Sequence, residues 1–143
     1  MRALLDVNVL IALLDRDHVH HARARDWFRA HATAHGWASC PITENGCVRI
    51  MSQPAYPNPL PTVAVIGRLA EAARHPSHEF WADDCSLLDP GTVHAGRIHG
   101  PKQVTDLYLL ALAVKQGGCF ATFDETIVLP AVPGARKRHL TVV

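Results

Sequence analysis

Residues 2–15 read RALLDVNVLIALLD, and this stretch decides the fold. Its first four residues favour a short buried strand, and the apolar run that follows favours a helix. Asp6 lies between the two, with apolar residues on both sides. Because burial of an ionised carboxylate is costly unless it is paired, hydrogen-bonded or bound to a metal ion, the rest of the chain must supply Asp6 with a partner.

The composition is that of a globular domain of ordinary size. The chain has 143 residues, of which 48% are hydrophobic and 19% charged, and its formal net charge is +1. This length and hydrophobic content can build a core, and the charge balance excludes a disordered chain or a polybasic protein. We therefore expect one domain over residues 1–143, in which any nucleic acid would meet a local basic patch.

The four cysteines favour a reduced, cytoplasmic protein. They form no Cys-x-x-Cys motif, and each lies in or beside an apolar run, as small core residues do: Cys40, Cys47, Cys85 and Cys119. No segment resembles a signal peptide, and the apolar runs are too short and too interrupted by charge to span a bilayer. We expect no contact with a membrane.

Apolar segments of strand length alternate with segments of helical periodicity. Strands are predicted at residues 2–5, 37–40, 78–82, 119–122 and 140–143. Helices are predicted at residues 7–14, 18–34, 41–52, 62–74 and 101–116, with a further helix start at Asp89-Pro90. Four prolines predict a loop over residues 53–61. This alternation indicates an α/β fold whose mainly parallel sheet is covered on both faces.

Four of the 13 acids lie at the edges of apolar segments. Asp6 and Asp124 each end a predicted strand, and Glu44 and Asp106 each fall in the first turns of a predicted helix. In an open α/β sheet these positions border the binding crevice, so the four acids could converge. Two carboxylates about 4 Å apart repel each other by roughly 4 kcal/mol at an effective dielectric constant of about 20. A hard divalent cation, Mg²⁺ or Mn²⁺, would remove that penalty.

Helix capping is the simpler explanation for each of these acids taken alone. Asp83 and Asp84, which follow another predicted strand, illustrate how readily acids arise at such positions. Four acids placed in this way nevertheless favour a functional site.

Four short motifs contain these acids in a fixed order along the chain. They are Leu4-Leu5-Asp6-Val7-Asn8-Val9-Leu10, Pro41-Ile42-Thr43-Glu44-Asn45-Gly46, Thr105-Asp106 and Thr122-Phe123-Asp124. The ordered set resembles the PIN-domain ribonucleases, and among them the VapC-type toxins of bacterial toxin–antitoxin modules. The resemblance covers essentially the whole chain. It implies a three-layer α/β/α sandwich with a mainly parallel central sheet, a Mg²⁺-dependent endoribonuclease activity, and neutralisation by a small antitoxin.

The resemblance also implies a role for each acid. The catalytic pocket would consist of Asp6, Glu44, Asp106 and Asp124, and Mg²⁺, or else Mn²⁺, would be held by Asp6, Asp106 and Asp124. Asn8 would support the pocket by hydrogen bonding near Asp6, and Thr105 would position water or metal through its hydroxyl. Glu125, next to Asp124, could partly replace it, so the fourth motif is the least specific.

Basic residues are the candidate substrate contacts. Arg23 and Arg97 are the residues that we expect to meet RNA, although a solvated surface position is the default for both. The basic run at residues 136–139 is a further possible contact. The histidines within residues 18–21 suggest a metal site, but no carboxylate–histidine set completes a zinc site, so a solvated helix start is the simpler interpretation.

Two other functions compete with the ribonuclease. A phosphatase of the Asp-x-Asp kind would need a second acid where Asn8 stands. The alternative from a different class is a non-catalytic RNA- or protein-binding module on the same fold, which Mg²⁺-dependent cleavage of single-stranded RNA would exclude.

The partners implied by the resemblance are an RNA substrate and a cognate antitoxin. A homodimer is also expected, because it is the commonest oligomer. An antitoxin helix or a second copy would bind the apolar surface of the first two helices, at Leu13, Leu14, Val19 and Trp27.

Overall fold

The computed structural model describes residues 1–143, and its centre is a five-stranded sheet. The strands are β1 (Ala3–Leu5), β2 (Trp37–Ser39), β3 (His78–Phe80), β4 (Cys119–Thr122) and β5 (Leu140–Val142). They lie in the order β3-β2-β1-β4-β5, and every neighbouring pair is parallel. The prediction of a mainly parallel sheet is confirmed.

Helices cover both faces of this sheet. They are α1 (Val7–Leu14), α2 (His21–His35), α3 (Pro41–Met51), α4 (Thr62–Ala73) and α5 (Val104–Lys115). Because side chains alternate along a strand, Ala3 and Leu5 face a core shared with α1 to α4, whereas Leu4 faces a second core built mainly from α5. Two cores on one sheet make the three-layer α/β/α sandwich that the motifs imply. None of the helices combines the length and hydrophobicity needed to cross a membrane.

Two predicted elements differ from those observed. The second helix begins at His21 because residues 18–20 form turns, in which the His20 N–H donates to Nδ1 of His18 at 3.1 Å. Asp89 starts no helix, since its Oδ1 accepts the N–H of Gly91 at 2.8 Å and closes a tight turn instead. The next helical segment is a single 3₁₀ turn at Ala95–Arg97. All four cysteines are free thiols, as expected.

The strand order creates a crevice at the carboxyl ends of the central strands. From β1 the chain moves outward through β2 and β3, and then returns to the other side of β1 as β4. Ligands bind outside the carboxyl ends of parallel strands where the strand order reverses in this way. The residues that follow β1 and β4 therefore meet at the mouth of the crevice, where the Asp6 N–H donates to the Ala121 carbonyl at 2.9 Å.

Candidate active site

Asp6 occupies the junction between β1 and α1, with 7% of its surface exposed. Its backbone is extended, and its side chain makes no N-cap hydrogen bond to the second or third residue of α1, so capping does not account for it. Oδ2 instead accepts the hydroxyl of Thr122 at 2.8 Å. Burial raises the pKa of Asp6; hydrogen bonds from Thr122 and the backbone of Val7 oppose this shift, and the charge of Asp124 adds to it. The carboxylate is thus held in place with its charge only partly compensated.

Thr122, the last residue of β4, connects Asp6 to Asp124. Its hydroxyl donates to Asp6 and accepts the N–H of Asp124 at 3.1 Å. Oδ1 of Asp124 accepts two further bonds from Thr126, at 2.7 Å from its N–H and 2.6 Å from its hydroxyl. These contacts fix Asp124 beside Asp6, whereas the neighbouring Glu125 is exposed.

Asp106 adds a third carboxyl from the first turn of α5. Burial, together with the charges of Asp6 and Asp124, raises the pKa of Asp106 to about 6. The charges of Asp6 and Asp124 therefore act on Asp106, which groups the three aspartates at one end of the sheet. A half-buried carboxyl whose pKa is raised by desolvation and by two neighbouring carboxylates is typical of a functional site.

Glu44 makes its side-chain hydrogen bond to β2 and not to any of these three aspartates, and its catalytic role stays a prediction. Its Oε1 accepts the hydroxyl of Ser39 at 2.6 Å, and the same hydroxyl lies 2.8 Å from Nε2 of His78. Glu44 lines an adjoining cavity with Trp37 and Ser39, and its charge is not among those that raise the pKa of Asp106. Residue 44 lies about 100° around α3 from residue 45 and about 200° from residue 46, which is why the helix presents it to β2 and β3.

The cleft beside Asp6 has a volume of about 550 Å³. Polar side chains lining it include the two predicted supporting residues, Asn8 and Thr105, and also Asn45, Arg49 and Asp83. Asp83 follows a strand, a position at which acids arise readily without a function. In the structure its Oδ1 is buried without a hydrogen-bond partner. The position of Asp83 after β3 was the available signal for its place in the cleft.

The predicted basic contacts lie elsewhere. The Arg23 guanidinium lies 5.7 Å from the centre of the Phe123 ring, next in sequence to Asp124. Arg97 donates to the carbonyl of Pro130 at 3.0 Å and so joins two surface turns. Neither of them lines the cleft that contains Asp6.

The donor atoms at this site are carboxylate and hydroxyl oxygens. No group of three Asp, Glu, His or Cys side chains forms a ready-made metal site. The chemistry of the donor set nevertheless fits a hard divalent cation, which prefers such oxygens and keeps several water molecules. Asp83 adds one more carboxylate to the residues that line the cleft.

Comparisons with known proteins agree with this fold and site. The family model described as PIN domain matches residues 3–132. Ribonuclease VapC44 of Mycobacterium tuberculosis is 57% identical over 143 residues, which are 100% of both chains. Ribonuclease VapC39 of the same species is 42% identical over 135 residues, 94% of this chain and 96% of the relative.

A solved structure adds support for the fold alone. VapBC2 from Rickettsia felis, bound to a DNA fragment from its promoter, superposes with a TM-score of 0.58 at 14% identity, covering 87% of this chain and 89% of the other. The family match and the full-length identity together establish that the chain belongs to the PIN-domain family and, within it, to the VapC ribonucleases.

Proposed function

We propose that the chain is a Mg²⁺-dependent endoribonuclease that acts as the toxin of a bacterial type II toxin–antitoxin system. Membership of the VapC ribonucleases supports hydrolysis of RNA as the reaction. The observation that carries the site assignment is the convergence of three aspartates at the point where the strand order reverses.

Asp6, Asp106 and Asp124 are the residues that would hold the cation. When bound, Mg²⁺ supplies positive charge for the scissile phosphate and lowers the pKa of a water molecule. The chain's contribution is positioning: the Thr122 hydroxyl orients Asp6, and Thr126 orients Asp124. Fixing ligands through neighbouring donors in this way typically affects metal affinity or activity by about 10- to 100-fold.

Two cleft residues complete the proposed machinery. Asn8 and Thr105 line the same cleft as Asp6 and present neutral donors to substrate oxygens or water. In-line attack of water on phosphorus would break the bond to the 3′ oxygen. The products would be a 5′-phosphate and a 3′-hydroxyl.

The proposed partners are RNA, an antitoxin and a second copy of the chain. Leu13 and Leu14 line a cavity of about 860 Å³ together with residues of α4, including Arg68. Val19 is 86% exposed and Trp27 is half-buried. These apolar positions support the predicted docking surface, and they are equally suited to an antitoxin helix or a dimer contact.

The test compares Asp6→Asn with Asp26→Asn on single-stranded RNA. The wild-type chain should cut with Mg²⁺ and stop with EDTA. Asp6→Asn should cut RNA at least about 100-fold more slowly. Removing a metal ligand should reduce activity more than removing a neighbour that only orients the ligand. Its melting temperature should be unchanged or higher, because the substitution removes a buried charge and keeps an acceptor for Thr122.

Asp26→Asn is the matched control, since it removes one carboxylate by the same substitution but lies exposed on α2, outside the cleft that contains Asp6. It should retain most of the activity. Cleavage by pure Asp6→Asn at the wild-type rate would contradict the site. Wild-type protein that binds RNA without cutting it would favour the non-catalytic module.

A further inference from the structure

Arg49 is the one basic side chain that lines the cleft containing Asp6. It is exposed, and it takes part in none of the four ion pairs of the structure, whose cations are Arg2, Arg25, Arg74 and Lys115. No motif of the sequence pointed to Arg49, and the mechanism above does not use it. Arg49 therefore carries a positive charge that has no acidic partner, although the cleft contains carboxylates.

The packing of α3 on α1 fixes where Arg49 lies. Asn45, Gly46 and Arg49 share one face of α3, since residues three and four apart lie together on a helix. A Cβ at Gly46 would come within 2.8 Å of a methyl carbon of Val7, so the absence of a side chain allows this face to approach α1 closely. The close approach holds Asn45 and Arg49 on the wall of the cleft that contains Asp6.

Electrostatics indicates what Arg49 is suited to bind. The aspartates would hold a cation that offsets charge at the scissile phosphate, but the neighbouring phosphates of the strand would still meet the negative charge of Asp6 and Asp83. A guanidinium group presents a planar fork that pairs with two phosphate oxygens at once. The side-chain amide of Asn45, one turn before it on α3, supplies a neutral donor on the same wall.

We infer that Arg49, assisted by Asn45, binds a phosphate of the RNA strand next to the cleavage site. Arg49 also lines the adjoining cavity that contains Trp37 and Ser39, so it stands on the ridge between the two. A strand that leaves the cleft over this ridge places a flanking phosphate, rather than the scissile one, against the guanidinium. This inference rests on the proposed function and adds to it a residue that positions the substrate.

Binding of labelled single-stranded RNA tests the contact without catalysis. Fluorescence anisotropy is measured in EDTA over a range of salt concentrations, with Asp6→Asn as the uncleaving parent. Adding Arg49→Gln should weaken binding by about tenfold, the loss expected for one charge-assisted hydrogen bond. The slope of log K against log salt should fall by about 0.7, the contribution of one phosphate contact to a single strand.

Arg29→Gln in the same parent is the matched control. Arg29 is exposed on α2, takes part in none of the four ion pairs, and lines a separate cavity with Phe28 and Thr33. Its loss should leave the salt slope unchanged. A purely structural role for Arg49 would lower the melting temperature without lowering the slope. Equal affinities and slopes for the two variants would overturn the inference.

A second measurement keeps the test independent of whether the variant folds. The NMR signal of the Arg49 side-chain Nε–H group should shift when RNA is added to the parent protein, and that of Arg29 should not. An unmoved Arg49 signal under saturating RNA would overturn the inference. Failure of the wild-type chain to cut RNA with Mg²⁺ would instead count against the proposed function, because neither binding measurement depends on cleavage.

Discussion

The ionisation of Asp106 is linked to the stability of the metal-free protein. Its pKa is raised from 3.8 to about 6. Between these values the folded chain retains a proton on Asp106 that the unfolded chain has released, so stability falls as the pH rises through this window. The loss should be on the order of 1 kcal/mol, after allowance for screening by solvent.

Chemical denaturation at several pH values between 4 and 7, in EDTA, measures this effect. Asp106→Asn should remove it, and the difference between wild type and variant cancels the opposite contribution of histidines with lowered pKa values. If the free energy of unfolding of the two proteins depends on pH in the same way, the raised pKa does not belong to Asp106. Added Mg²⁺ should abolish the difference by favouring the ionised form.

At the scale of single residues, the sequence predicted the position of some site residues but not the contacts of others. Asp6, Asp106 and Asp124 were identifiable because each lies where a strand ends or a helix starts. Glu44 has the same local signature, yet its rotation on α3 directs it to Ser39. Asp83 also follows a strand, but its place in the cleft depends on β2 and β3 being neighbours in the sheet, which local patterns do not reveal.

At the scale of elements, the contact between α1 and α3 determines the width of the cleft. Gly46→Ala would place a Cβ within 2.8 Å of a Val7 methyl carbon. We expect it to lower the free energy of unfolding by about 1–3 kcal/mol through overpacking, although alanine alone would favour the helix. Activity should fall as well, because Asn45 and Arg49 move away from Asp6.

A double-mutant cycle checks the cause. Val7→Ala makes room for the new methyl group, so Val7→Ala/Gly46→Ala should be more stable than the sum of the single changes predicts. If the losses in free energy of unfolding are additive, the side chains at positions 7 and 46 do not clash. Gly67→Ala on α4, whose Cβ would meet nothing within 4 Å, is the control and should not destabilise the protein.

Most helices and strands were predictable because their apolar spacing is regular. The strand of residues 3–5 and the helix that follows it are set by RALLDVNVLIALLD alone. The turn at Asp89 was not predictable, because an Asp side chain can either cap a helix or close a turn. Only the tertiary surroundings decide between the two.

The whole molecule explains why the acids lie near one another although 118 positions separate Asp6 from Asp124. With β1 at the centre and β4 beside it, Thr122 comes within 2.8 Å of Asp6 across the crevice. Local patterns cannot reveal this pairing, since they predict strands without their order. The family resemblance supplied the missing information about the order.

The same crevice leads to a prediction about the antitoxin. A site where the charges of Asp6 and Asp124 raise the pKa of Asp106 would bind an arginine or lysine side chain as readily as a metal ion. A partner that inserts such a cation should therefore compete with Mn²⁺ for the site.

The test co-expresses the chain with the protein from the neighbouring reading frame and measures Mn²⁺ uptake by electron paramagnetic resonance. The complex should take up less Mn²⁺ than the free chain, and Asp106→Asn should weaken inhibition because it removes one charge that the cation pairs with. Unchanged uptake in an inhibited complex would mean that the partner acts by covering the substrate path. A neighbour that neither binds nor blocks cleavage would contradict the toxin–antitoxin proposal and leave the ribonuclease proposal standing.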